Sequence, residues 1–351
     1  MVDQEAFFDA VLKGDAETVN ALIAAEDIDV NQAKITTGAT PLYIAAQNGH
    51  TDVVKALIAA KDIDVNQAKT TTDATPLYIA AQNGHTDVVK ALIAAGADVN
   101  KALTTTGATP LYIAAENGHT DVVKALIAAE DIDVNQATTT TGSTPLYIAA
   151  QNGHIDVVKA LIAAKDIDVN QAKTTTGATP LYIAAQQGHI DVVKELIAAG
   201  AKINERDIKR FDISNKIKNI LKEAAISQLV SQLLIDTPAS IPEEWLKKLA
   251  ASQKNVLYNM LLKKCGENIG LLQTAVDNQT LRGIFSPNGG YFLFEKNYMK
   301  LLREKISLLS NVDFRARVDH RAHAQKWQLC GNPIRRSRQG YSRLGSKYKA
   351  D

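Results

Sequence analysis

Five histidines, His50, His85, His119, His154 and His189, recur at spacings of 35, 34, 35 and 35 residues, and each is followed two positions later by an aspartate, Asp52, Asp87, Asp121, Asp156 or Asp191. Imidazole and carboxylate together suggest two chemistries, a ladder of zinc ions and acid–base proton transfer. The spacing argues against both. Equivalent side chains one period apart stand in neighbouring structural units, about 10 Å from each other at ordinary helix-packing distances, so successive imidazoles cannot share an ion. The aspartate lacks a second carboxylate to work with and falls where a helix starts, so it reads as an anion facing the positive end of the helix dipole. The histidine reads as a turn residue bonded to backbone.

Other candidates for chemistry are thin. His320, His323 and Cys330 offer three donors but match no closed zinc spacing. Cys265 lies among Lys263, Lys264 and Glu267, and lysines lower a thiol pKa, yet no base is placed beside it, so it reads as an ordinary helix-end cysteine. The chain has no Gly-x-Ser-x-Gly, no phosphate-binding Gly-x-x-x-x-Gly-Lys loop, no His-Glu-x-x-His and no Cys-x-x-Cys. No catalytic residue, metal site or cofactor is assigned. The catalytic alternative rests on residues 226–310 alone.

The elements that carry the histidines are written in one phrase, Thr40 to Ala60, which returns from Thr75, Thr109, Thr144 and Thr179. Self-similarity at such a period signals a solenoid. Each copy reads as two short antiparallel helices. Thr40 N-caps the first, Pro41 occupies its first position, and Ala45 and Ala46 let a neighbour approach closely. Asn48-Gly49 breaks the helix, Thr51 is expected to cap the second, and Val53, Val54, Leu57 and Ile58 share its buried face. A helix pair this short is stable only when stacked between copies.

Thr-Pro-Leu-x-x-Ala-Ala-x-x-Gly-His, then Val-Val-Lys-x-Leu-Ile, then Ala97-Asp98-Val99-Asn100, resembles the ankyrin repeat, five times in register. Tyr43, Tyr78, Tyr112, Tyr147 and Tyr182 stand where that family usually has His. Most copies are longer than the family's period of about 33 residues, with one extra residue in the helix-to-finger turn (Lys61–Asp64 against Gly96–Asp98) and one in the Thr-rich finger. The resemblance implies an all-α solenoid of helix-turn-helix repeats with short β-hairpin fingers. It covers roughly residues 3–225, as domain 1–225: a degenerate N-cap repeat with Asp3, Glu5 and Asp9 on its first helix, five full repeats, and a half-repeat C-cap with a helix over Ile213–Leu221.

Residues 226–310 read as a separate module, a small bundle of short helices beginning with Ile226–Ile235, and residues 311–351 as a basic, disordered tail. The whole chain carries +1, but the tail holds ten Lys and Arg against three Asp, a net of +7 that leaves the rest at −6. Two cysteines, Cys265 and Cys330, give no disulfide framework and fit a reducing compartment. Met1–Gly14 lacks the pattern of a cleaved signal peptide, and no apolar run reaches the roughly 18–20 residues that cross a bilayer. The expectation is a monomer in a cytosol, its own or that of a host. Near-identical repeats joined to a helical region resemble the ankyrin proteins that intracellular bacteria deliver into host cells, which implies an effector.

The resemblance places a protein partner on the finger tips and the concave face of the first helices. Position by position these are Thr36, Thr37, Gln47 and Asn48, then Thr71, Thr72, Gln82 and Asn83, then Thr105, Thr106, Glu116 and Asn117, then Thr140, Thr141, Gln151 and Asn152, then Thr175, Thr176, Gln186 and Gln187. Buried positions repeat because each copy fills the same hole. Core packing gives no reason for the exposed Thr-Thr and Gln-Asn to repeat. Either the copies are young and act as a spacer, or the ligand is itself periodic and bound by summation. A rival contact lies in the tail, where Arg335, Arg336, Arg338, Arg343, Lys347 and Lys349 are interleaved with Tyr341 and Tyr348, as in a single-stranded nucleic-acid or acidic-surface contact.

Overall fold

A computed structural model describes residues 4–25, 28–203 and 214–233. Every full repeat opens in the same way. The helices α3 (Pro41–Asn48), α5 (Pro76–Asn83), α7 (Pro110–Glu116), α9 (Pro145–Asn152) and α11 (Pro180–Gln187) each start at proline. The preceding threonine hydroxyl accepts the backbone N–H of the tyrosine three residues on, at 3.1 to 3.2 Å. One orphan donor of the first turn is thereby satisfied.

The second helices are α4 (Thr51–Ile58), α6 (Thr86–Ala94), α8 (Thr120–Ile127), α10 (Ile155–Ile162) and α12 (Ile190–Ala198). Their caps differ from expectation. His50 and its counterparts, not Thr51, stand at the N-cap, without a side-chain cap bond. The threonine is already helical, and Ile155 and Ile190 replace it in two copies, so no hydroxyl is required there. The tight turn before the helix and the aspartate in its first turn serve instead.

Stacking produces two layers. First helices follow one another in the order α3, α5, α7, α9, α11, and second helices in the order α4, α6, α8, α10, α12. Ala45, Ala46 and their counterparts lie buried where successive first helices pack on one another, and their small side chains permit close approach. Val53, Val54 and Leu57 and their counterparts fill the space between layers. At the N-terminal end α1 (Gln4–Lys13) and α2 (Ala16–Ala24) join these layers, with Phe7 and Val11 fully buried and Asp15 capping α2 through the N–H of Thr18 at 3.0 Å.

The fingers are hairpin-shaped turns. Lys34 donates to the Ala39 carbonyl at 2.8 Å and Gly38 to that of Lys34 at 2.7 Å. At most two backbone bonds tie one finger to the next, as from the Thr70 N–H to the Gly38 carbonyl at 3.0 Å. These are too few for a ladder, and no strand forms among the described residues.

The chain divides into two compact units, Met1–Ala225 and Ile226–Asp351. Where the sequence suggested one helix over 213–221 and another from 226, there is one continuous helix, α13 (Asn215–Leu233). Its middle, Lys222-Glu223-Ala224-Ala225, holds only strong helix formers and no breaker. Within the first unit it buries Ile217 and Leu221. The expected helical bundle beyond Leu233 and the basic tail lie outside the described residues, as does Asp3. No helix among the described residues is long and apolar enough to cross a membrane.

Candidate partner-binding face

The recurrent histidines bond backbone. His85 Nε2 faces the Gln47 carbonyl at 3.1 Å, His119 that of Gln82 at 3.0 Å, His154 that of Glu116 at 3.0 Å, and His189 that of Gln151 at 3.0 Å. His50 reaches Leu12 in the same way at 3.1 Å. A carbonyl only accepts, so the proton sits on Nε2. Each histidine thus clamps its repeat to the one before. Among the described residues no three His, Cys, Asp or Glu gather as metal donors. The aspartates two positions on are exposed, and Asp52, Asp121 and Asp191 pair with lysines on their own helices at 3.4 to 3.6 Å, contacts worth little in water.

The same carbonyls take a second donor. Asn83 Nδ2 donates to Gln47 O at 2.8 Å, Asn117 to Gln82 O and Asn152 to Glu116 O, both at 2.9 Å. Hydroxyls do similar work at the finger tips. Thr71 donates to the Thr37 carbonyl and Thr140 to that of Thr106, both at 3.4 Å, and Thr175 to Thr141 O at 3.0 Å. Thr37, Thr106 and Thr176 accept N–H groups of their own fingers. So the repetition of Asn and Thr does have a structural reason. Packing arguments restricted to apolar side chains missed it, because these bonds run between repeats at the surface.

Once those bonds are counted, the amides of Gln47, Gln82, Gln151 and Gln186 and the carboxylate of Glu116 remain, one per repeat, at equivalent ends of the first helices. None makes a side-chain hydrogen bond among the described residues. Gln47 and Gln186 are exposed, the other three half-buried. Asn48 and Gln187, the stack's first and last in their column, are exposed as well. Of the fingers' threonines, Thr36, Thr72 and Thr105 are exposed with the tips. The tail residues from Arg335 to Lys349 lie outside the described residues.

A column of phenols runs beside these side chains. Burial pushes the Tyr43 and Tyr147 hydroxyls up in pKa. Tyr78 and Tyr112 reach about 12, through burial first and then the negative field of Glu116. Lys69 Nζ lies 5.4 Å from the Tyr43 ring centroid, Lys173 5.4 Å from that of Tyr147, and Lys34 5.8 Å from that of Phe8 in the first helix. These are cation–π distances.

A solenoid of helix pairs with Thr-Pro starts, Gly-His turns and projecting fingers defines a repeat-type interaction fold. A family model described as "Ankyrin repeats (3 copies)" matches residues 7–102, 67–138 and 111–207, together more than half of the chain, which belongs to the ankyrin-repeat family. The ankyrin repeat domain of human ASB11 is similar in structure, with 25% identity and a TM-score of 0.51, over 62% of this chain and 96% of that one. The ankyrin repeat protein EF0377 shows 27% identity and a TM-score of 0.52, over 57% of this chain and all of that one. An ankyrin repeat domain from Acinetobacter baumannii, ABAYE2397, shows 28% and 0.51 over the same shares. No curated protein matches the chain. Ankyrin repeats are in general protein–protein interaction modules, and the fold is typically non-catalytic.

Proposed function

We propose that this chain is a stoichiometric adaptor that holds a protein partner across the finger tips and the exposed ends of its first helices. One observation carries the reading. After the Asn, His and Thr groups are committed to joining repeats, a column of Gln47, Gln82, Glu116, Gln151 and Gln186 is left with unused hydrogen-bonding capacity. A partner's backbone or polar side chains can satisfy it repeat by repeat, with weak contacts added along the stack. The proposed contact residues are therefore these five with Asn48, Gln187 and the finger tips from Thr36 to Thr176. The protein acts by binding in a cytosol rather than by catalysis.

Photo-crosslinking amino acids placed at Gln82 and Gln151 are expected to capture the partner, and one at exposed Lys90 on α6 is not. Capture from Lys90 alone would sink the reading. Removing one whole copy, Thr75–Ala108, separates the two forms of the idea. A periodic ligand loses affinity by one increment, whereas a stack acting as a spacer binds as before.

A further inference from the structure

The five first helices of the full repeats carry one charged side chain among them, Glu116; the others have Gln47, Gln82, Gln151 and Gln186 in its place. The fingers break pattern beside it. The lysine that stacks on the preceding repeat's aromatic ring is present as Lys34, Lys69 and Lys173, but the register puts Leu103 and Thr138 in the two central fingers. How well each ring is covered follows the size of the side chain its finger supplies. Tyr43 and Tyr147, beneath lysines, are each 4% exposed, and Tyr78, whose finger supplies Leu103, is 6% exposed. Tyr112, whose finger supplies Thr138, is only half-buried. Thr138 cannot substitute for the lysine, because it carries no charge, and its hydroxyl is engaged within its own finger, accepting from Ser143 N at 3.1 Å and pairing with Thr141 Oγ1 at 2.8 Å.

We propose that Tyr112 and Glu116 form a subsite for one cationic side chain, arginine or lysine, of a protein partner lying across the first helices. The proposal rests on the reading of this face as the partner-binding one, and it adds a recognition element to it. The chain itself shows the mode of binding, an ammonium over a tyrosine ring, at Tyr43 and Tyr147. At Tyr112 the ring lacks its lysine, and the single carboxylate of the first helices stands one turn away. Burial and then Glu116 hold the Tyr112 hydroxyl up to about 12, which keeps it a neutral donor; of these two causes, the Glu116 field is the one that favours a cation. A metal ion is a poor occupant, since one carboxylate and one phenol fall short of the six or more oxygens that hard cations take.

The test uses a phage-displayed library of random short peptides panned against the full chain. Selected peptides are expected to share a basic residue, and their affinity to fall about ten-fold when it is replaced by glutamine. The same loss is expected for Glu116→Gln, which installs the residue of the neighbouring repeats and therefore leaves the fold intact. Thr138→Lys, which supplies the missing lysine from within, is expected to weaken the same peptides. Selected peptides without a basic residue, or with unchanged affinity for Glu116→Gln, overturn the subsite. If such peptides still lose affinity on Gln82→Lys or Gln151→Lys, the face remains the partner-binding one. Indifference to all these changes, or a library that yields no binder, overturns both.

Discussion

The turn edge of the stack and its finger edge are built from the same repeat but treat repetition differently. At the turn edge His85, His119, His154 and His189 make one contact four times, at 3.0 to 3.1 Å. At the finger edge the residue opposite the aromatic column changes from lysine to leucine to threonine and back to lysine. The histidine bond recurs at every interface, whereas the lysine over the preceding ring joins some repeats and is dispensed with between others. The difference teaches that a position that changes along this chain is one the stack can do without, and so one free to serve a partner.

The sharpest way to break the turn edge is through Gly84. Its φ is +79°, and a methyl group there would sit 2.8 Å from the His119 ring. Gly188 has nearly the same conformation, φ +84°, but among the described residues nothing lies within 4 Å of the position its methyl would take. Gly188→Ala is expected to cost about 1–2 kcal/mol from backbone strain alone. Gly84→Ala should cost about 2–4 kcal/mol, because the His119 bond to Gln82 is disturbed as well. Urea unfolding of both variants measures the difference. Equal losses would show that the histidine column is not a clamp.

High pH addresses the finger edge. Tyr78 and Tyr112 ionise near 12 in the fold against an ordinary 10, so the folded state holds their protons more tightly. Their contribution is fully present below pH 10 and is lost as pH rises toward 12. The melting temperature is expected to fall over that window. Glu116→Gln, which removes part of the opposing field, should move the tyrosinate absorbance transition toward lower pH. A transition that Glu116→Gln leaves in place would separate the carboxylate from the phenols.

A smaller effect is expected at the helix starts, which both edges share. Thr109→Ala removes the hydroxyl that accepts Tyr112 N at 3.1 Å and should cost about 1 kcal/mol by denaturant midpoint. That cap was legible in the sequence, as were the period, the helix pairs and the buried Ala-Ala and Val-Val, because each rests on a short-range rule. The clamps were not. Asn83 to Gln47 O spans 36 residues, and nothing local in Asn-Gly-His says that the side chain reaches backward to the preceding repeat. For the same reason Thr51 passed for a cap and the Thr-Thr tips for a stripe without structural cause. The continuity of α13 was overlooked for a different reason, since the boundary at 225 was placed on a change in repeat pattern with no helix breaker present. For the proposed contact face, the sequence indicated the column; that Gln82, Glu116 and Gln151 are half-buried, and that the Asn and Thr groups beside them are occupied, depended on bonds and packing between copies.

The smallest effect bears most directly on the finger edge. Lys69→Met keeps the alkyl stem and removes only the charge over Tyr43, so it should cost about 0.5–1 kcal/mol. Lys55→Met offers the matched control on α4, where the lysine pairs with exposed Asp52 at 3.6 Å, and such a pair is worth no more than about 0.5 kcal/mol. Salt separates the two further, since the exposed ion pair is screened while an ammonium against a buried ring is screened less. If Lys69→Met destabilises the stack and Lys55→Met does not, the tyrosine column binds cations within the chain. Leu103 and Thr138 then stand, among the described fingers, where that column is left without one. Indistinguishable variants would mean that Lys69 lies over Tyr43 without being held there, and the exposure of Tyr112 would then reflect only the small side chain above it.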